Sequence, residues 1–509
     1  MSIAEPVGQT FGRPDILDRN GNLLATDVAA SSLYADPAVV LDLDEAAERL
    51  AMALPDLDPS EIRRSLADRT KRFVWLKRGL TPLEAQSVHD EGLPGVGFRR
   101  EQKRVYPGEE VVGHILGHVN VDNRGQSGIE RWIDETLTIE SLAAAGPNRL
   151  DPVRLSIDIG VQQAVSGELA TAMERYKAAA ASGLVMDVMT GEVIAAVSLP
   201  AVNPNRPATL VDKDRADRLH FGAFELGSIF KTLTVAQALE DGSATLDTLV
   251  DVAEPIEIGR YRIRDHHPTA AQLTVRDVFL HSSNVGAGRL ALAAGADRQR
   301  SFLARLGLID PVRTEVGLVR PPLVPGNWGP IETVTIGYGH GLAVAPVQFA
   351  AAAASLVNGG WRVTPTFIRK QRNTGPPERV LASATSDAQR EIWRLNVTAA
   401  HGTGRRADVA GMRVGGKTGT AEMPGRGGYL SKSVIASFVG ALPMDEPRYL
   451  TLVSLFEPKA TPETKGAITA AYNAAPTTAR VVARIAPILG VLPRRLAAPR
   501  ADDNAAVQR

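Results

Sequence analysis

Apolar residues recur at helical spacing along much of the chain. In residues 43–67 and 81–91 they stand three or four positions apart, with acidic residues early in each segment, and this pattern predicts amphipathic helices. A longer segment of the same kind covers residues 161–176, and the alanine-rich region from about 228 to 359 is mostly helical by pattern. A last helix is predicted from residue 475 to about 489.

Strands are predicted where apolar residues alternate or form short β-rich runs. Two such runs flank a Thr-Gly turn within residues 184–197, which predicts a hairpin, and residues 18–22 are a similar turn signal. Further predicted strands cover residues 154–159, 413–421, 433–442 and 449–456. Strands, then helices, then strands closing on one sheet under a terminal helix indicate an α/β or α+β layer fold.

The chain has 509 residues, which predicts two or more domains. Gly146-Pro147-Asn148 interrupts the pattern and marks the expected boundary between a first domain (13–150) and a second (151–493). Residues 1–12 precede the first domain. The tail 494–509 is rich in Ala, Arg and Asp without periodicity and is predicted to be disordered.

Composition excludes several classes of function. Basic and acidic residues both count 57, so there is no basic excess that would indicate a nucleic-acid partner. The absence of cysteine excludes disulfides, thiolate metal sites and cysteine nucleophiles. His266 and His267 are adjacent but have no Cys or carboxylate at ligand spacing, so we interpret them as loop histidines. No phosphate loop or dinucleotide fingerprint occurs, so neither a metal nor a cofactor is predicted.

The sequence predicts no membrane span. Its first six residues have neither a basic nor an apolar region typical of a signal peptide. The longest apolar stretch, residues 342–357, contains Pro346 and Gln348 and is shorter than the roughly 20 residues that a spanning helix needs. We therefore expect it to be a buried helix.

Three short motifs carry the candidate chemistry. Each occurs once, in this order: Ser228-Ile229-Phe230-Lys231, Ser282-Ser283-Asn284 and Lys417-Thr418-Gly419. Taken singly, each motif also has a structural interpretation. The first is typical of a helix cap beside a solvated lysine, the second of a capping turn for a helix starting near Val285, and the third of a glycine-rich turn. Their joint, ordered occurrence favours a functional site instead, and a closely similar set of motifs is characteristic of serine β-lactamases and penicillin-binding proteins.

Ser228 is the predicted nucleophile. Ser228 and Lys231 lie three residues apart and share a helix face. A serine hydroxyl needs a base close by, and Lys231 can serve only if its pKa is lowered. Apolar neighbours such as Phe230 and Leu233, together with Lys417 as a second cation, are predicted to lower it.

The other two motifs suit proton relay and substrate binding. The hydroxyl of Ser282 can pass a proton to a leaving amine, while the amide of Asn284 can orient the lysine and the substrate. Glycines around Lys417 predict an edge strand along which a peptide docks. The hydroxyls of Thr418 and Thr420 and the charge of Lys417 suit a carboxylate. The backbone N–H groups of Thr420 and Ser228 are the predicted oxyanion hole.

Beyond these motifs the sequence resembles the class B penicillin-binding proteins, most closely the division-specific (septal) transpeptidases, over roughly residues 13–493. The segments that carry the resemblance are RPDILDRNG from Arg13, RVYP from Arg104, GIE from Gly128, FELGS from Phe224, HGTG from His401, KTGTAE from Lys417 and FEPK from Phe456. The resemblance implies a penicillin-binding/serine β-lactamase-like transpeptidase domain, with an antiparallel sheet flanked by helices. A mixed α+β, non-catalytic pedestal domain is expected before it.

The family resemblance also implies the reaction. Ser228 would be acylated by the penultimate D-Ala of a peptidoglycan stem peptide, releasing D-Ala, with Lys231 as the base and Ser282 and Asn284 as relay and orienter. The terminal carboxylate would be bound by Lys417, Thr418, Gly419 and Thr420. Thr420 would also complete the oxyanion hole. β-Lactams would acylate the same serine.

The resemblance finally implies a setting. Asn284, where elongation-type relatives often carry Asp, and the short stretch 422–429 favour the division type. The family acts at the periplasmic face of the bacterial inner membrane through an N-terminal anchor, and this chain begins where that anchor should end. Expected partners are a lipid-linked-precursor glycosyltransferase and other division proteins. An elongation-type enzyme, a serine β-lactamase and a non-catalytic β-lactam-sensing scaffold remain the alternatives.

Overall fold

The computed structural model describes residues 12–136, 150–265, 270–370, 378–425 and 428–493. The chain divides into two compact units. The first comprises the described parts of Met1–Leu17, Leu23–Gly108 and Gly117–Val153, and the second those of Asp18–Asn22, Glu109–Leu116 and Arg154–Arg509. The predicted boundary at residues 146–148, the tail from residue 494 and the pair His266 and His267 lie outside the described residues.

Both units contain strands and helices. The strands are β1 (Ile16–Leu17), β2 (Leu23–Ala35), β3 (Val74–Leu80), β4 (Val96–Val105), β5 (Val153–Arg154), β6 (Ala180–Asp187), β7 (Val193–Leu199), β8 (Leu249–Asp251), β9 (Ile256–Ile258), β10 (Tyr261–Ile263), β11 (Gln272–Thr274), β12 (Arg313–Thr314), β13 (Gly317–Leu318), β14 (Gly415–Gly425), β15 (Gly428–Leu442) and β16 (Tyr449–Phe456). The helices are α1 (Leu43–Ala53), α2 (Pro59–Leu66), α3 (Pro82–Asp90), α4 (Gly113–Leu116), α5 (Gly128–Thr136), α6 (Ile159–Tyr176), α7 (Lys231–Glu240), α8 (Val275–Leu280), α9 (Asn284–Ala294), α10 (Ala296–Arg305), α11 (Pro330–Tyr338), α12 (Pro346–Val357), α13 (Ser383–Thr398) and α14 (Ala474–Ile488).

In the first unit, β2 pairs antiparallel with β1, β3 and β4, which confirms the hairpin predicted at residues 18–22. The helical pattern predicted over 43–67 corresponds to two separate helices, α1 and α2. Leu54 has non-helical angles (φ −132°, ψ 82°), since the following Pro55 disfavours the helical region. Asp58 then caps α2. Helix α3 begins at a capping box between Thr81 and Glu84.

A buried ion network joins three distant segments of the first unit. The carboxylate of Glu130 accepts from the Arg13 Nε at 2.9 Å and from the Arg104 Nε at 2.6 Å. The side chains of Glu130 and Arg104 are completely buried. Asp27 pairs with Arg104 at 3.2 Å and Asp134 with Arg13 at 2.5 Å. Three of the segments that carry the family resemblance therefore meet at these charges.

The second unit is built on one antiparallel sheet in the order β14-β15-β16-β6-β7. The predicted hairpin is the pair β6 and β7, and α6 and α14 pack on the sheet through a buried apolar core that includes Val165, Leu169, Phe438 and Ile485. Every residue of α12 is buried, as predicted for the long apolar stretch. None of the helices in the described residues combines the length and apolar character needed to cross a bilayer.

Several predicted bounds in the second unit need correction. The strand predicted over 154–159 is reduced to β5 and an isolated bridge from Leu155 to Ile368, because Asp158 already caps α6. The strand predicted from 413 begins two residues later, since Arg413 has a left-handed φ of 51°. The region 228–359 is not helical throughout. It also contains the three short pairs β8–β11, β9–β10 and β12–β13, whose two- and three-residue strands are too short for a periodic pattern.

Candidate functional site

Ser228 lies in a 3₁₀ turn (Gly227–Phe230) that leads directly into α7. Gly227 has a φ of +58°, and a Cβ there would lie 2.6 Å from the Thr420 carbonyl oxygen. Only glycine tolerates this conformation and this approach without strain. The turn therefore packs directly against strand β14, and this contact places Ser228 beside the third motif.

Lys231, the first residue of α7, is completely buried. Its Nζ contacts the Ser228 Oγ at 3.1 Å and the Ser282 Oγ at 3.1 Å. It also donates to the Ser282 carbonyl oxygen at 2.5 Å and to the Asn284 Oδ1 at 2.7 Å. The lysine thus touches both residues of the second motif and the predicted nucleophile at once.

Ser282 lies between the two lysines. Its Oγ accepts from the Lys417 Nζ at 3.0 Å and lies 3.1 Å from the Lys231 Nζ, and its backbone has a left-handed φ of 59°. Such a conformation costs free energy in a residue other than glycine and is common at functional sites. Next to it, Ser283 caps α9 and accepts from the Gly286 N–H. The capping interpretation of this motif therefore applies to Ser283, whereas Ser282 and Asn284 contact the lysine.

Two buried amines with lowered pKa values dominate the electrostatics. Burial, and then the charge of Lys417, lower the pKa of Lys231 well below its usual value. Desolvation lowers the pKa of Lys417 to about 7. Both effects disfavour the charged form of a lysine. The apolar surroundings expected from the sequence include Phe230 and Leu233, which are buried. The structure adds Phe279, whose ring centroid lies 5.7 Å from the Lys417 Nζ.

The buried amine of Lys417 predicts that stability depends on pH. In the unfolded chain a lysine titrates near pH 10.4, whereas here its pKa is about 7. Between these values only the unfolded chain binds the proton, so the free energy of unfolding rises with pH. The cost of burying the charge is present in full below pH 7 and vanishes above about pH 10.4.

We expect this difference to amount to about 2 kcal/mol between pH 7 and pH 9. This pH dependence can be measured by urea unfolding of Lys231→Met and of Lys231→Met/Lys417→Met. Neither variant contains Lys231, so the difference between their pH profiles reports the titration of Lys417 alone. The single variant should gain stability with pH relative to the double variant. Parallel pH profiles for the two proteins would show that Lys417 titrates normally.

The third motif lies on β14, which is the edge strand of the sheet. Lys417 is completely buried and Thr418 nearly so, while Thr420 is half-buried. A Cβ on Gly419 would lie 2.5 Å from the Leu226 carbonyl oxygen, so this glycine allows the close approach of the segment that carries Ser228. The structure thus brings all eight predicted residues into one region.

Asp265 is a site residue that the sequence did not indicate. Its carboxylate accepts from the Ser283 Oγ at 2.6 Å and from the backbone N–H groups of Asn284 and Val285 at 2.5 and 3.0 Å. A carboxylate at a helix N-terminus is favoured by the helix dipole. Asp265 therefore holds the start of α9, and with it Asn284, in place. Seventeen residues separate it from Ser282, and no local pattern marks the contact.

Asn396 is a second residue of this kind. It is completely buried, donates to the Gly416 carbonyl oxygen at 2.8 Å, and accepts from the Thr403 N–H and Oγ1 at 3.1 and 3.2 Å. The Thr403 Oγ1 lies 3.5 Å from the Lys417 Nζ. Asn396 thus ties the HGTG segment from His401 to the strand of the third motif.

The family resemblance implies acylation of Ser228 by a penicillin, and we expect Asp265→Asn to slow this reaction by about tenfold, because hydrogen bonds to a charged group contribute about 1.5–3 kcal/mol. Stopped-flow measurements across pH distinguish a role of Asp265 in positioning Asn284 and Lys231 from a contribution to folding alone. Asp265 raises the pKa of Lys231, so the variant should shift the acid limb of the rate profile to lower pH. Asp251→Asn, at an exposed turn-capping residue, is the control. An unshifted limb would contradict the positioning role.

Comparison with known proteins identifies the family. The model described as the penicillin binding protein transpeptidase domain matches residues 181–477, more than half of the chain. The chain belongs to this family. The model described as the penicillin-binding protein dimerisation domain matches residues 10–139. Together they confirm the predicted class B family and the enzyme class of penicillin-binding serine acyltransferase. They also confirm the transpeptidase fold, which follows an N-terminal dimerisation domain in the sequence.

Individual relatives agree with this membership. The chain is 38% identical over 493 residues to the probable peptidoglycan D,D-transpeptidase FtsI of Caulobacter vibrioides, covering 95% of this chain and 82% of that protein. It is 32% identical over 481 residues to the peptidoglycan D,D-transpeptidase FtsI of Escherichia coli K12, covering 89% and 81%. The solved apo transpeptidase domain of Burkholderia pseudomallei penicillin-binding protein 3 is 30% identical, with a TM-score of 0.60 over 67% of this chain and 98% of that one.

Proposed function

We propose that this penicillin-binding protein is a peptidoglycan D,D-transpeptidase that cross-links stem peptides through an acyl-enzyme on Ser228. One observation carries the proposal: the completely buried Lys231 places its Nζ 3.1 Å from the Ser228 Oγ. The lowered pKa of Lys231 increases its share of the neutral amine, the form that can accept a proton. The names of the relatives as D,D-transpeptidases favour this reaction over β-lactam hydrolysis.

The contacts of Lys231 explain how it acts as a base. A neutral amine has two N–H donors and one lone pair. The Ser282 carbonyl and the Asn284 Oδ1 can only accept hydrogen bonds, and they lie at 2.5 and 2.7 Å. Since they take both donors, the lone pair is left for a hydroxyl proton. The Ser228 hydroxyl at 3.1 Å can donate to it and become the nucleophile.

Strand β14 supplies the substrate-binding residues. As an edge strand it can pair with an extended peptide. The Thr420 Oγ1 accepts from the Ala470 N–H at 3.1 Å, so its own O–H remains available to donate to a carboxylate. The close packing of the Ser228 turn against Gly419 and Thr420 supports an oxyanion hole made by the N–H groups of Ser228 and Thr420.

The reaction proceeds in two steps. The Ser228 oxygen attacks the carbonyl carbon of the penultimate D-Ala while its proton passes to Lys231. The Ser282 hydroxyl, within 3.1 Å of Lys231 and 3.0 Å of Lys417, relays a proton to the nitrogen of the leaving D-Ala. The peptide C–N bond breaks and an ester remains. An amine of a neighbouring peptidoglycan strand then attacks the ester carbon, and its proton passes through the same relay to the Ser228 oxygen. The ester C–O bond breaks, an amide bond remains, and Ser228 is regenerated.

The biological setting is part of the proposal. The Ser-Ser-Asn motif at 282–284, the resemblance to division-type enzymes and the relatives named FtsI favour septal peptidoglycan synthesis at the periplasmic face of the inner membrane. A lipid-linked-precursor glycosyltransferase and other division proteins are the proposed partners.

Mass spectrometry of the intact protein after incubation with a penicillin tests the chemistry. We expect one long-lived penicilloyl adduct, which peptide mapping should place on the fragment containing Ser228. Protein unfolded in urea before exposure should form none, which controls for nonspecific acylation. An adduct on another residue would contradict the assigned nucleophile, and rapid loss of the adduct would favour a β-lactamase. An adduct without exchange of the terminal D-Ala of a stem peptide would favour a scaffold protein.

A further inference from the structure

A cluster of metal-ligating side chains lies outside the proposed catalytic residues. Asp277, His281 and His401 each offer one ligand atom, and these atoms all lie within 4.8 Å of one another. Within the described part of the chain no other three His, Asp or Glu residues meet in this way. We propose that Asp277, His281 and His401 form a binding site for a divalent transition-metal ion, with Zn²⁺ as the best fit.

The geometry of the cluster is close to that of a zinc site. The imidazole rings of His281 and His401 stack with centroids 4.7 Å apart and planes 15° from parallel. The His401 Nε2 lies 3.7 Å from the Asp277 Oδ1. With zinc–ligand bonds of about 2.1 Å, tetrahedral ligands stand roughly 3.4 Å apart. Small rotations of the side chains are therefore enough to close the cluster on an ion.

The ligand atoms also suit a transition metal chemically. Imidazole nitrogens favour zinc, cobalt, nickel and copper, whereas magnesium and calcium prefer oxygen ligands alone. The side chains of His401 and Asp277 are 47% and 36% exposed, so an ion can enter and water can complete the coordination.

Asp277 is oriented for this role by its surroundings. Its Oδ2 accepts from the Thr274 Oγ1 at 2.7 Å, and its backbone carbonyl accepts from the His281 N–H at 2.9 Å. The other carboxylate oxygen, Oδ1, faces His401. Hydrogen bonds that fix a ligand from behind are typical of metal sites. One helical turn of α8 thus presents Asp277 and His281 together, and the segment after α13 presents His401.

A metal in this position would connect two segments of the proposed active site. His281 directly precedes Ser282, and His401 stands two residues before Thr403, whose Oγ1 lies 3.5 Å from the Lys417 Nζ. An ion bound to both histidines would restrain the segments on either side of Lys417. This consequence rests on the proposed function, whereas metal binding itself does not. The sequence predicts no metal site here, because His281 and His401 are 120 positions apart and no local pattern links them.

Titration of the tag-free, metal-stripped full chain with Zn²⁺ in a calorimeter tests the proposal. We expect one ion per chain, and visible absorption on adding Co²⁺ that reports nitrogen and oxygen ligands only, because the chain has no cysteine. His281→Ala, His401→Ala and Asp277→Asn should each weaken binding by at least about tenfold. His89→Ala, at an exposed histidine of the first unit, should bind as the unaltered chain does.

Three results would overturn the site. They are the absence of stoichiometric binding, unchanged binding by His281→Ala/His401→Ala, and loss of binding in His266→Ala/His267→Ala while the double variant at 281 and 401 still binds. Formation of the penicilloyl adduct is measured on the same proteins without metal. A chain that forms the adduct but binds no metal disproves only this inference, whereas one that binds metal without an adduct disproves only the proposed reaction.

Discussion

Replacing Lys231 with methionine should slow acylation by a penicillin by about 10²–10⁴-fold, the usual contribution of a general base. Methionine fills a similar volume but cannot accept the Ser228 proton. The loss should appear in the rate constant of acylation measured by stopped flow, and it should not be recovered at high pH, because the variant has no amine to deprotonate. In the unaltered protein the same rate should fall as the pH drops through the lowered pKa of Lys231.

Two reference proteins make this result interpretable. Ser228→Ala sets the background, since without the Oγ no ester forms. Lys213→Met removes an exposed lysine from the surface of the same unit and should acylate at the normal rate. The Lys231 variant leaves the Ser282 carbonyl and the Asn284 Oδ1 without their donor, so thermal unfolding must first show that it folds. A folded variant that acylates within a few fold of the unaltered chain would assign the base to another group.

Local patterns in the sequence were enough to locate the three motifs, four of the five strands of the second unit's main sheet and its last helix within a few residues, and the hairpin that contains the fifth strand. The helix starting at Ile159 and the hairpin of β6 and β7 follow directly from periodicity and a turn signal. The spacing of Ser228 and Lys231 within one turn is likewise a local property. These features were predictable because neighbouring residues determine them.

What could not be predicted depends on contacts between distant residues. Asp265 contacts Asn284 although β11 and α8 lie between them in the sequence, Asn396 joins two segments, and His281 meets His401 only in the folded chain. The break between α1 and α2 has a local cause instead. The apolar spacing continues through residues 54–58, but Pro55 disfavours the helical region for Leu54, so α1 ends there.

Substitution of Glu130 in the buried ion network should strongly lower the stability of the first unit. Glu130 lies completely buried between Arg13 and Arg104, with one carboxylate oxygen for each guanidinium. Glutamine keeps the shape but can accept only through its single oxygen, so its NH₂ group would face an arginine donor. Asp27 and Asp134 still compensate part of the positive charge. Removing one partner of a buried ion pair costs about 3–5 kcal/mol, and we expect a value near the lower end.

The measurement must distinguish destabilisation of the first unit from any change in the stability of the second unit. Hydrogen exchange followed by mass spectrometry reports protection peptide by peptide, and Glu130→Gln should lower the free energy of opening by about 3 kcal/mol in the first unit. Glu135→Gln, five residues further along α5, is the matched control. Its partner Arg131 is 61% exposed and it is itself 41% exposed, so it should change stability by less than about 1 kcal/mol. Equal effects of the two substitutions would mean that water or the neighbouring aspartates satisfy both arginines without Glu130, and that the meeting of the three segments does not stabilise this unit.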